Sequence, residues 1–168
     1  SQSIAWKTIH YACTNPGKLV LVTAPSMSQA SELFEKISVA MDENPLLRAS
    51  ILRKTRTVIE LSNGTRIICR TTGPTGKTIR GLSPNLVLVD EAAFVPSQVI
   101  SQVIEHTLAA TRGTMILIST PWGIDNYFYK ASVEWASRTI TEENLKRPEE
   151  TFELLKEDTY PDFSSHHY

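Results

Sequence analysis

The chain has 168 residues, 41% hydrophobic and 21% charged, with 17 Lys and Arg against 18 Asp and Glu and a net charge of -1. That length suits one domain with a single core, and the near balance of charge excludes a passive nucleic-acid coat, so DNA contact must be local or confined to one face. Cys13 and Cys69 lack CxxC spacing and build neither a zinc site nor a disulfide scaffold; no apolar run reaches membrane-spanning length, and an intracellular protein with no membrane partner is expected.

Ser1 to Thr14 places Ile4, Ala5, Thr8, Ile9 and Ala12 at helical spacing, and Asn15-Pro16-Gly17 stops the helix. Leu19 to Thr23 reads as a buried strand closed by Ala24-Pro25. Ser26 or Ser28 can cap the next helix, whose apolar face is Ala30, Leu33, Phe34, Ile37 and Met41, and Asn44-Pro45 ends it. Arg48, Arg53, Lys54 and Arg56 surround Ile51-Leu52, a basic cluster read as a solvated face, with a DNA-facing role as the alternative. Thr57 to Leu61 and Thr65 to Arg70 flank Ser62-Asn63-Gly64, and Asn-Gly between β-rich runs predicts a hairpin.

A loop from Thr71 to Pro84 leads into Leu86-Val87-Leu88-Val89, an uninterrupted apolar run that reads as a strand buried on both faces. Asp90-Glu91 follows directly. In a parallel sheet ligands bind at the carboxyl ends of the strands, where these two acids emerge. One can orient Mg²⁺ and the other polarise an attacking water, as in nucleotide triphosphatases; the rival reading has Asp90 cap a helix and Glu91 face solvent. A helix over 97–110 is apolar at Val99, Ile100, Val103, Ile104 and Leu108. Met115 to Ser119 is a third buried strand, ending in Thr120-Pro121-Trp122-Gly123, and a helix over 126–135 follows. In the acidic tail, Pro148 with Glu149 and Glu150 predicts another helix start. The pattern predicts an α/β fold with a mainly parallel sheet flanked by helices, plus a β-hairpin insertion.

Gly73 to Thr78 imitates a phosphate loop but is not one. The motif G-x-x-x-x-G-K-[ST] needs glycine five positions before Gly76, and position 71 is Thr. A phosphate loop must also open a helix, and Gly81 and Pro84 leave no room before the strand at Leu86.

Taken in order, Thr23-Ala24-Pro25 with Gln29, Ile79-Arg80-Gly81, Asp90-Glu91-Ala92-Ala93-Phe94, Ile118-Ser119-Thr120-Pro121-Trp122-Gly123 and Asp125-Asn126-Tyr127-Phe128-Tyr129 resemble the ATPase domain of phage terminase large subunits. The resemblance covers nearly the whole chain. It implies a RecA-like P-loop NTPase core over 1–140, cut at the phosphate loop, and a linker or subdomain over 141–168 leading toward a nuclease domain. It implies ATP and Mg²⁺ as cofactors, with Asp90 serving the metal, Glu91 activating water, Ser119 and Thr120 sensing the γ-phosphate, and Arg80 acting across a subunit boundary. Gln29 would lie at the nucleotide, and Ser1 would stand where the motif's hydroxyl ligand to Mg²⁺ belongs. The implied partners are double-stranded DNA, a portal protein, a small terminase subunit and further copies in a ring, in the cytoplasm of an infected cell. Half of a helicase, or an ATPase remnant serving as an interaction module, are the competing readings. Lacking the Gly-Lys of a true phosphate loop, the chain as given is expected to turn over little ATP.

Overall fold

A computed structural model describes residues 2–139. Its centre is a six-stranded sheet in the order β2-β3-β4-β1-β5-β6. Strands β4 (Arg66–Thr71), β1 (Leu19–Ala24), β5 (Leu86–Val89) and β6 (Thr114–Leu117) run parallel, while β2 (Ile51–Lys54) and β3 (Val58–Leu61) extend the sheet antiparallel. All four residues of β5, and all but the first of β1, are buried, as unbroken apolar runs in a covered sheet require.

Helices α1 (Gln2–Thr14) and α2 (Met27–Glu43) cover one face. Ala5, Thr8, Ile9 and Ala12 of α1, and Ala30, Leu33, Phe34, Ile37, Ala40 and Met41 of α2, recur at helical spacing and are buried. Nearly all of them pack on Val20, Val22, Leu86 and Leu88. The opposite face of the strands, Leu21, Val87 and Val89, is covered by α4 (Ser97–Val99), a π-helical stretch (Ile100–Ile104) and α5 (Glu105–Thr111). The expected single helix is thus one continuous rod with a π-helical middle, and nothing in its side-chain pattern marks the change. At its carboxyl end, α6 (Tyr127–Thr139) docks through a hydrogen bond from the Tyr127 hydroxyl to Glu105.

One expectation needs correction. The hairpin is no insertion: its second strand, β4, lies inside the sheet between β3 and β1 and pairs with β1 in parallel over Leu19 to Ala24. Its turn is pinned to α1, because Asn63 Nδ2 donates to Ala12 O at 2.9 Å while Gly64 takes a φ of 87°. The basic segment Arg48 to Arg56 carries β2, and the short helix α3 (Pro45–Ala49) runs into it. Its charges do face solvent, and two are neutralised locally, Arg53 by Glu60 at 3.1 Å and Lys54 by Asp42. The helix expected from about Asn126 is α6: Asn126 stands before it as its cap and accepts from Tyr129 N at 2.8 Å. The tail over 141–168, including the helix start expected at Pro148, lies outside the described residues, as does Ser1.

Candidate active site at the carboxyl edge of the sheet

Because β4, β1, β5 and β6 are parallel, their carboxyl ends share one edge, which carries Arg70, Thr23, Asp90-Glu91 and Ser119-Thr120. The Asp90-Glu91 turn is clamped from both sides. On one side Asp90 N donates to Thr23 O at 2.8 Å; on the other Ala92 N donates to Ile118 O at 3.0 Å. The Ser119 hydroxyl oxygen accepts from Ala93 N at 3.1 Å and its proton goes to Thr120 O at 3.0 Å. Ser119 is thereby tied to the turn behind the two carboxylates, and Thr120 beside it is exposed.

Asp90 is half-buried, and its Oδ1 accepts from Glu91 N at 3.0 Å. Burial pushes its carboxyl above the usual aspartate value; the Glu91 amide and the positive charge of Lys36 pull it back, and Glu32 adds to the rise. A bound cation would relieve that strain on the charged form. Lys36 and Glu32 lie one turn apart on α2 and pair with each other at 3.3 Å, so a mixed charge pair overlooks this carboxylate.

Glu91 has φ 50° and ψ 44°, the left-handed region, which side chains other than glycine enter at a cost of roughly 1–3 kcal/mol. Its Oε2 is buried and has no hydrogen-bond partner. Arg112 is the other non-glycine residue with positive φ among the described residues, but it caps the end of α5, an ordinary place for that conformation. Glu91 stands two residues beyond the interior strand β5 and just before a 3-10 turn over Ala92–Phe94, to which its side chain gives no capping hydrogen bond. Neither the strain nor the orphaned oxygen is visible in the residue string.

Gln29 is drawn into the start of α2. Ser26 caps that helix, its oxygen accepting from Gln29 N at 3.4 Å and its hydroxyl donating to Gln29 Oε1 at 2.8 Å. Gln29 therefore sits at the same edge with its carbonyl oxygen engaged. Arg80 is exposed, as a donor to something outside the domain must be, but its loop does not project as its glycines suggest. Ile79 is fully buried, and a Cβ on Gly76 would meet Val103 and Val99 at 3.0 to 3.1 Å. The loop is fastened onto α4 and the π-helical stretch, leaving the Arg80 side chain outside. It forms turns and no helix, in keeping with its dismissal as a phosphate loop.

Among the described residues no group of three or more His, Cys, Asp or Glu is placed to cage a metal. The donor set still fits Mg²⁺, which commonly uses one or two carboxylates and completes its shell with water and phosphate oxygens. A shallow depression of about 510 Å³ lined by Asp42, Arg48, Ile51 and Lys54 lies at the β2 margin, with three strands between it and β5, and has no part in this chemistry. No helix of the described residues is long and apolar enough to cross a membrane.

Comparison with known proteins gives the arrangement its family. The chain is 44% identical over 52 residues to the terminase large subunits of Thermus phage G20c and Thermus virus P23-45, a stretch that is 31% of this chain and 10% of each relative. It therefore spans only a small part of the length of those relatives. The fold matches the large terminase ATPase domain of Thermus phage P74-26 with a TM-score of 0.64 at 22% identity, over 77% of this chain and 58% of that one. It matches the HK97 bacteriophage large terminase with a TM-score of 0.65 at 21% identity, over 81% of this chain and 30% of that one. These likenesses identify the RecA-like α/β fold of large terminase ATPase domains. The family model for the N-terminal part of T4-like-virus-type terminase large subunits matches residues 4–166, and the chain belongs to that family.

Proposed function

We propose that this domain hydrolyses ATP, with Mg²⁺, within a terminase large subunit and that hydrolysis drives double-stranded DNA into a viral capsid. The observation that carries the reading is a half-buried aspartate followed by a strained glutamate with a buried, unpartnered oxygen, both held at the carboxyl edge of a parallel sheet. Asp90 would hold Mg²⁺, which when bound would supply charge neutralisation on the phosphate oxygens. Glu91 orients the attacking water and receives its proton as the bond to the γ-phosphorus forms and the bond from that phosphorus to the β–γ bridging oxygen breaks, releasing ADP and phosphate. Ser119 and Thr120 respond to the γ-phosphate; the bond from Ala93 N to Ser119 gives any displacement there a direct path to the Asp90-Glu91 turn. Gln29 contributes at the nucleotide. Arg80 reaches the γ-phosphate of a neighbouring copy in a ring. Ser1 would supply a hydroxyl to Mg²⁺. Residues 1–140 form the ATPase core, and 141–168 lead toward a nuclease domain.

Portal protein and a small terminase subunit are the further partners, in the cytoplasm of the infected cell. Gly76-Lys77-Thr78 opens no helix among the described residues, so that loop does not supply the amide cradle of a phosphate loop.

The test uses the full-length subunit. Glu91→Gln keeps the shape but removes the base; DNA-stimulated ATP hydrolysis is expected to fall by about 10²–10⁴-fold while ATP binding, followed by a fluorescent analogue, persists. Hydrolysis at near the parent rate would remove Glu91 from the mechanism.

A further inference from the structure

The loop between β4 and β5 is built outward from the carboxyl edge by backbone bonds in series. Thr72 N donates to Ala24 O at 2.9 Å, Gly76 N to Thr72 O at 2.9 Å and Arg80 N to Gly76 O at 3.2 Å. Ile79 N shares the Gly76 acceptor at 3.0 Å, and the buried Thr72 hydroxyl adds a second bond to Ala24 O at 3.3 Å. The series thus begins at the last residue of β1 and ends on the backbone of Arg80.

Gly76 is the joint in that series, and two independent facts require a glycine there. Its φ of 67° lies where other side chains are strained. It is also buried against the helical rod: an added Cβ would stand 3.0 and 3.1 Å from the two γ-carbons of Val103 and 3.1 Å from Val99 Cγ1. Val99, Val103 and Ile79 are themselves buried, so this packed contact has little room to yield. Gly73 and Gly81 of the same loop also take positive φ, yet an added Cβ on either would meet nothing within 4 Å. A backbone pushed off Val103 at Gly76 carries with it the carbonyl from which Arg80 N hangs. The exposed Arg80 side chain is then delivered from a displaced base, and a misplacement of roughly 1 Å can cost about 10²-fold in rate.

We propose that Gly76 is a positioning residue for Arg80: its seat against Val99 and Val103 sets the base from which Arg80 reaches the γ-phosphate held by a neighbouring copy. This rests on Arg80 acting across the subunit boundary, as proposed above.

The test is DNA-stimulated ATP hydrolysis by full-length subunits, alone and mixed in pairs. Gly76→Ala alone is expected to lose at least about 10-fold in rate. Mixed with Glu91→Gln it should recover part of the hydrolysis, because that partner presents a correctly held Arg80 to the intact carboxylates of Gly76→Ala. Mixed with Arg80→Ala it should recover none, since no copy then presents the arginine in place. The parent rate for Gly76→Ala alone, rescue by Arg80→Ala, or rescue by neither partner in co-assembled rings each overturns the role, the last by showing general damage. If Arg80→Ala and Glu91→Gln fail to complement each other, the reading of Arg80 itself fails and takes this one with it. Should Gly76→Ala not assemble, Val103→Ile presses on the same contact from the helix side with the glycine intact. The same one-sided rescue then upholds the role, and the parent rate or rescue by neither partner overturns it.

Discussion

Asp90 carries its charge where the surroundings disfavour it, and that has a sign. Burial raises its carboxyl above the unfolded value, so the stability this group contributes is full below the unfolded pKa, about 3.9, and is lost as pH rises through the folded one. Asp90→Asn stays neutral and keeps an oxygen to accept from the Glu91 amide. Thermal melts at neutral pH are therefore expected to place Asp90→Asn above the parent, with the gap closing below about pH 4; a variant that melts lower at neutral pH would contradict the buried-charge account. The same change removes the metal's carboxylate, so stability and activity move in opposite directions. The pair of acids was legible in the sequence because four apolar residues running into two carboxylates is an unusual strand ending. What the string could not carry is the left-handed backbone at Glu91, since a glycine would have announced it and a glutamate does not.

At the scale of elements, strands buried on both faces were readable and margins were not. β1 and β5 emerge from runs of Leu and Val, and α1 and α2 from apolar residues at helical spacing. β2 was missed because only Ile51 is even partly buried; Leu52, Arg53 and Lys54 face solvent, so no alternation betrays it. β4 was recognised as half of a hairpin, but its parallel pairing with β1 is a long-range fact that hairpin chemistry does not encode. Gly113 belongs to the same class. It joins α5 to β6, and a Cβ there would meet Asn85 O and Leu108 Cδ2 at 2.6 Å each. Asn85 O also accepts from Thr114 N at 2.9 Å, the contact that sets β6 beside β5. Gly113→Ala must push backbone apart, and a loss of roughly 1–3 kcal/mol in denaturant unfolding is expected. A change within about 0.5 kcal/mol would mean that the junction relaxes freely.

For the whole molecule, Arg80 distinguishes a lone ATPase from a ring. The loop that bears it is fastened at Gly76 and Ile79, so the guanidinium is presented from a fixed base on the outside of the domain. An arginine delivered by a neighbour is worth roughly 10³–10⁵ in rate in known phosphoryl-transfer enzymes. In the full-length protein, Arg80→Ala and Glu91→Gln subunits should each be inactive alone, and mixed rings should recover part of the hydrolysis at interfaces holding one intact copy of each group. Mixtures that co-assemble yet stay inactive would confine Arg80 to its own subunit.

The strand order carries a mechanical consequence. β5 is held between β1 and β6, with every residue buried, whereas β6 is bordered on one side alone among the described residues and is only partly covered. Interior strands exchange their amide protons through near-global unfolding, margins through small local openings. It follows that Asp90 and Glu91 are anchored to the stiffest part of the domain, while Ser119 and Thr120 hang from a more compliant one.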